Sequence, residues 1–129
     1  MAALGGGAGF GRVWSLAMLP DGRLAAGYGL PNVVRIWDLQ RRAVDVVIRG
    51  HTNWVRALVS LPDGRLLSGS FDRTLKVWDE RALSVRSGAD CDTCATTLAG
   101  HTFWVSALAV LPDRSVVSGS CDGTVRVWR

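Results

Sequence analysis

The feature that most constrains this chain is that it repeats itself. Gly50-His51-Thr52-Asn53-Trp54-Val55 recurs as Gly100-His101-Thr102-Phe103-Trp104-Val105, and Leu61-Pro62-Asp63 recurs as Leu111-Pro112-Asp113. Leu19-Pro20-Asp21-Gly22-Arg23-Leu24 supplies a third copy of the latter element. The copies close on Ile36-Trp37-Asp38, Val77-Trp78-Asp79 and Val127-Trp128-Arg129. Self-similarity of this kind means one supersecondary unit reproduced side by side, each burying its apolar face against the next. The closing tryptophans lie 41 and then 50 residues apart. His51 to Trp78 and His101 to Trp128 are equal spans, so the extra residues fall between Glu80 and Thr93.

Inside a repeat the apolar period is two. Val55, Ala57, Val59 and Leu61 alternate with Arg56, Leu58 and Ser60, and Val125 and Val127 alternate with Arg126 and Trp128. That is the pattern of strands. Pro-Asp-Gly at 20–22 and 62–64 predicts a tight turn, because Pro presets φ and Gly accepts positive φ. Asp72-Arg73-Thr74 and Asp122-Gly123-Thr124 predict a second. Each repeat therefore reads as a strand before Pro-Asp, one through Ser68–Ser70 or Ser118–Ser120, and one ending on Trp. A fourth runs over 43–48 and 94–99 and leads into the next Gly-His.

Gly-His, Ser-Gly-Ser-x-Asp and Trp-Asp at these spacings resemble the WD-repeat β-propeller family, from about residue 9 to 129. The resemblance implies an all-β, partial β-propeller of three four-stranded antiparallel blades. Residues 1–8 are a Gly-rich segment, 9–49 a degenerate first repeat, 50–99 a second with the insertion near 80–93, and 100–129 a third truncated after its third strand. In the first repeat Ala8-Gly9 stands for Gly-His, Ala26 for the strand Ser and Leu30-Pro31 for the Asp turn, which predicts a weaker blade. Three blades do not close a ring, so the chain is expected to be a fragment, a partial gene product or a protomer that completes a propeller by association.

Composition excludes several classes. With 48% hydrophobic and 20% charged residues the 129-residue chain has globular make-up. Its longest apolar runs end within a handful of residues, where a membrane span needs about 20. The N-terminus lacks a basic region before an apolar run, so the chain is expected to be intracellular, cytoplasmic or nuclear, and not secreted. Three cysteines, Cys91, Cys94 and Cys121, argue against a disulfide framework. The net charge is +4, but no aromatics interleave with a basic groove, so no nucleic-acid partner is expected. No Gly-rich phosphate loop opens a helix, and no small-molecule substrate or cofactor is expected. Arg35, Lys76 and Arg126 share a register two residues before each Trp and are expected to face solvent.

His51, Ser68, Asp72 and Trp78 invite a catalytic reading, as do His101, Ser118, Asp122 and Trp128. Catalysis needs one positioned nucleophile with an oxyanion site, whereas this set is stamped twice at the same spacing. Duplication favours a framework, and the resemblance implies a hydrogen-bond network; no enzyme activity is expected. Cys91-Asp92-Thr93-Cys94 is the alternative, a redox or metal site, yet zinc wants four ligands and Cys121 sits in a turn position. Varying positions beside the framework are the candidates for partner contact: Trp54, Arg56 and Phe71 in one repeat, Trp104, Ser106 and Cys121 in the next, with Arg12 and Trp14 matching in the first. Aromatics and Arg dominate binding hot spots. The expected function is a non-catalytic scaffold for protein or peptide partners, and a ubiquitin-pathway substrate adaptor or ubiquitin-binding propeller is the alternative within that class.

Overall fold

The computed structural model describes residues 3–5, 9–79, 82–83 and 95–129 of the chain. Its strands are β1 (Arg12–Met18), β2 (Leu24–Gly29), β3 (Val34–Asp38), β4 (Ala43–Ile48), β5 (Val55–Ser60), β6 (Leu66–Ser70), β7 (Thr74–Trp78), β8 (Ala95–Ala99), β9 (Val105–Val110), β10 (Val116–Ser120) and β11 (Val125–Trp128). They form three antiparallel sheets in chain order, β1 to β4, β5 to β8 and β9 to β11. This is a partial propeller whose third blade has three strands. The degenerate first repeat nevertheless forms all four of its strands.

The Pro-Asp turns are built alike. Leu61 N–H donates to the Arg65 carbonyl at 2.8 Å and Gly64 N–H to the Leu61 carbonyl at 3.0 Å, with matching bonds at 19–23 and 111–115. The Asp at the turn receives the backbone N–H two residues on, at 3.0 Å in Asp21, 3.1 Å in Asp63 and 2.9 Å in Asp113. The residue after the Asp is left-handed, which suits Gly22 and Gly64 at φ 90° and 94°. In the third repeat that position is Arg114, at φ 71°.

The blades pack face to face. Val34, Ile36, Val46 and Ile48 of the first blade bury against Val55, Leu58, Leu66 and Trp78 of the second. Leu61, Leu67 and Leu75 on the other face of the second blade bury with Val105 and Val116 of the third. Every residue of β6 is buried, because this strand is covered on both sides. A further cluster on the outer face of the first blade joins Tyr28, Val33 and Trp37 to Leu4 and Phe10 of the N-terminal segment. Gly5, at φ 70°, lies so close to Trp37 that an added Cβ would stand 2.8 Å from the indole.

Strict alternation fails in the first strand of every blade, and in the first blade a second time at Asp45. The register slips at the start of the first strand, so Trp14, Arg56 and Ser106 are each left without a partner across the ladder. Such a bulge turns the strand over by one residue. Val55 therefore faces the first blade while Ala57, Val59 and Leu61 face away from it, and Leu58 joins Val55 in the core. A plain period of two puts Val55 on the wrong face for this reason. The insertion also contributes to packing. Leu83 N–H bonds the Asp79 carbonyl at 3.3 Å in a helical turn, and Ala82 and Leu83 return to the core between the first two blades.

The joint between the second and third blades and the exposed edge of the third make a controlled comparison. Leu75→Ala, in the joint between the second and third blades, is expected to destabilise the chain by about 2–5 kcal/mol. Val125→Ala, at a position 71% exposed, is expected to stay within about 0.5 kcal/mol. Denaturant unfolding followed by circular dichroism measures both.

Candidate functional site

The duplicated His, Ser, Asp and Trp residues meet in a closed hydrogen-bond relay. In the second repeat Trp78 Nε1–H donates to Ser68 Oγ at 2.9 Å. Ser68 Oγ stands 2.6 Å from His51 Nε2, and His51 Nδ1 stands 2.7 Å from Asp72 Oδ2. Since Ser68 already accepts from the indole, its hydroxyl donates to Nε2 and the imidazole donates from Nδ1 to the carboxylate. The third repeat repeats these contacts at 2.8, 2.7 and 2.9 Å through Trp128, Ser118, His101 and Asp122. Both serine hydroxyls are fully buried and also accept an indole N–H, so each relay is closed within its own blade.

The carboxylates do more than end the relay. Asp72 Oδ2 also accepts the Thr52 N–H at 3.1 Å, and its Oδ1 accepts the Thr74 N–H at 2.9 Å and the Thr74 hydroxyl at 2.6 Å. One side chain thereby fastens the Gly-His loop to the turn between the second and third strands. Burial by itself would raise the Asp72 pKa, but the bonds from His51 and Thr74 overcome it and hold the carboxyl well below the usual carboxylate range. In Asp122 the Thr124 hydroxyl leads in the same direction, against burial and ahead of His101.

The first repeat replaces this relay instead of lacking one. Tyr28 OH receives Trp37 Nε1–H at 3.2 Å, in place of the serine that Ala26 cannot supply. Arg35 then lies with its guanidinium 4.3 Å from the Phe10 ring centre and 4.4 Å from that of Tyr28, and donates to the Phe10 carbonyl at 2.6 Å. Arg35 is thus clamped between rings, a correction to its expected solvent-facing role. Lys76, half-buried, donates to the Thr97 hydroxyl at 2.7 Å, while Arg126 is exposed.

The candidate contact residues gather on the relay's end of the blades. Trp14, Trp54, Phe71 and Trp104 form one stacked row, with ring centres 4.9, 5.2 and 4.3 Å apart. Phe103, which the sequence reading passed over, extends it at 4.8 Å from Trp104. It differs from Asn53 of the second repeat, and that variation beside a fixed framework was the available signal. The backbone holds the row in place, since Phe71 N–H donates to the Trp54 carbonyl at 2.9 Å and Cys121 N–H to that of Trp104 at 3.0 Å. Gly29 lies beneath, where an added Cβ would stand 2.6 Å from Trp14 Nε1 and 3.0 Å from Trp54. The bulge aims Arg56 over Trp14, 5.5 Å from the ring centre. Gly11, Arg12, Trp14, Gly29, Leu30 and Trp54 enclose a cavity of about 410 Å³. Ser106 turns inward, with Oγ 3.5 Å from the Gly119 carbonyl, and Cys121 is an exposed free thiol.

Cys91 and Cys94 lie outside the described residues. Among the described residues no cluster of His, Cys, Asp and Glu is arranged to hold a metal ion, and no helix is long and apolar enough to cross a membrane.

Because its folded pKa is depressed, Asp72 stabilises the fold fully above the unfolded value of about 3.9, and that contribution is lost as pH falls through the folded value. Asp72→Asn is expected to lower the melting temperature at pH 7 and to flatten its decline below about pH 4. Ser68→Ala strands an indole N–H and an imidazole nitrogen, at about 1–3 kcal/mol for each buried group. Thermal melts across pH check both variants.

The profile of the family described as "WD domain, G-beta repeat" matches residues 6–38, 44–79 and 92–129. The chain is 49% identical over 49 residues to nuclear distribution protein PAC1-2 of Uncinocarpus reesii, covering 37% of this chain and 10% of that protein. It is 44% identical over 52 residues to nuclear distribution protein PAC1 of Gibberella zeae, covering 40% and 11%. It thus spans about a tenth of the length of these relatives. Among solved structures, the WD40 β-propeller domain of Doa1 superimposes with a TM-score of 0.72 at 20% identity, over 87% of this chain and 34% of that one, a likeness of fold alone. With three profile matches, two intact relays and three radial sheets, the chain belongs to the WD-repeat family.

Proposed function

We propose that the chain is a non-catalytic interaction module, a segment of a WD-repeat propeller that binds protein or peptide partners across the relay's end of its blades. The observation that carries this reading is the aromatic row. Its interior rings, Trp54 and Phe71, are half-buried joints between blades, but it runs out at Phe103 and Trp104, which are 45% and 41% exposed. Large rings held rigidly in water bury much area on contact and lose little entropy, which is the make-up of a hot spot. Arg56 and exposed Arg12 and Arg73 add donors at this end, while its carboxylates Asp72 and Asp122 are engaged in the relays. The nuclear distribution proteins it resembles are consistent with an intracellular setting.

The same reading makes the chain part of a larger ring. Gly27 and Gly69 are pressed by the next blade, an added Cβ standing 2.9 Å from Val55 Cγ1 and 2.7 Å from Val105 Cγ1. Gly119 holds the equivalent place in the third blade and meets only Ala107 of its own sheet, at 3.8 Å. Around it Val125 and Val127 are 71% and 50% exposed. A face so matched to a blade is fitted for another blade, whether from flanking sequence or a second copy.

Two measurements test the proposal. Phe103→Ala combined with Trp104→Ala and Arg56→Ala is expected to keep the circular dichroism spectrum and lose partners in a pull-down from cell extract; retention of every partner places the contact surface elsewhere. Gly119→Val is expected to reduce concentration-dependent association in sedimentation velocity, and unchanged association means that this face seats no blade.

A further inference from the structure

The opposite end of the blades carries a second feature, independent of the aromatic row. Between the second and third blades lies a cleft of about 270 Å³ with Leu61, Leu98 and Trp128 among its apolar walls and Arg65, Arg114 and Arg129 at its rim. Two of these arginines are departures from the repeat. Arg114 stands where the other Pro-Asp turns have Gly22 and Gly64, and Arg129 stands where the other repeats have Asp38 and Asp79. Both changes put a cation at the same cleft.

The departures leave the new charges unspent. In the second repeat Asp63 holds Arg65 at 2.9 Å, and in the first Asp21 holds Arg23 at 2.8 Å. In the third the matching position is Ser115, so Asp113 bonds the Ser115 N–H at 2.9 Å. Neither Arg114 nor Arg129 has an ion-pair partner among the described residues. Arg114 leans toward the second blade: the Asp63 carboxyl is held below its usual range first by the Arg65 backbone N–H and, after other contributions, by the charge of Arg114. At φ 71° Arg114 carries backbone strain that the glycines of the other two turns avoid, as Arg42 and Arg73 do elsewhere in the chain.

We infer that this cleft between the second and third blades binds an acidic, apolar-flanked peptide segment, with a carboxylate at Arg114 and Arg129 and a neighbouring aliphatic side chain on Leu61, Leu98 and Trp128. Arginine pairs well with carboxylates because its planar fork donates two parallel bonds. The apolar wall supplies the area that an exposed ion pair alone does not. Asp63 is ion-paired to Arg65 at 2.9 Å and meets Arg114 only through its charge, with no ion pair between them.

The test titrates the whole ¹⁵N-labelled chain with a capped Leu-Glu-Leu-Glu-Leu peptide and its Leu-Gln-Leu-Gln-Leu counterpart. The Glu peptide is expected to shift the amide signals of Leu98 and Arg114, with affinity falling as salt rises, and the Gln peptide to bind at least five-fold more weakly. Arg114→Gly is expected to weaken the Glu peptide about five-fold while melting at an equal or higher temperature, since it restores the glycine of the other turns. Arg129→Gln, which leaves that turn untouched, is expected to weaken it similarly. The inference is overturned by equal binding of the Gln peptide, by unchanged binding in both variants, by a lower melting temperature in Arg114→Gly, or by shifts confined to Trp14, Trp54 and Trp104.

Discussion

A buried indole N–H needs an acceptor, and in this chain that need organises each intact blade. Trp78 finds Ser68, whose hydroxyl must then donate, and the acceptor within reach is an imidazole from the loop between blades. The imidazole in turn needs its other nitrogen satisfied, and the carboxylate that does so also receives the turn that follows the central strand. Dissatisfaction is thus passed along from the third strand to the second, to the loop and back to the turn, and ends only when the ring closes. The loop is fixed as a consequence, and the loop carries Trp54 and Trp104. The relay therefore holds these two tryptophans in place.

At its closing tryptophan the first blade meets the same need with a different residue. Tyr28 brings its hydroxyl from two residues further along the strand to the same indole nitrogen, and Arg35 fills the remaining space between two rings. The absent Gly-His and Ser residues are what predict a weaker blade, and the expected four strands form with Tyr28 serving Trp37. The polar requirement is met by a longer reach from a neighbouring position, and a motif written as residue types at fixed places does not contain that solution.

What was legible in the sequence follows from what repeats. Strands, turns and both relays recur at fixed intervals, so their positions stand out from a single chain. What was not legible depends on features with no period. The bulges at Trp14, Arg56 and Ser106 reverse the facing of the first residue of each inner strand, because a two-residue rhythm has no way to record one skipped partner. The cover that Leu4 and Phe10 place over Trp37, and the return of Ala82 and Leu83 to the core, come from segments outside the repeat. The aromatic row was half legible: its members were named one repeat at a time, but their stacking across blades is a relation between repeats, as is the convergence of Arg114 and Arg129 on one cleft.

The row of rings also explains how such a scaffold joins strength to variety. A ring in its interior, such as Phe71 between Trp54 and Trp104, touches aromatic neighbours from two blades, so changing it loosens the joint. A ring at its open end touches one neighbour and water, so Phe103 can take the place of Asn53 with the relay beside it unaltered. The same division holds at the other end of the blades. There the turn bonds persist from 19–23 to 111–115 although Gly has become Arg within them. Wherever backbone bonds and buried side chains already determine the geometry, the residue that projects from it is released from structural duty, and binding specificity can be written into that residue alone.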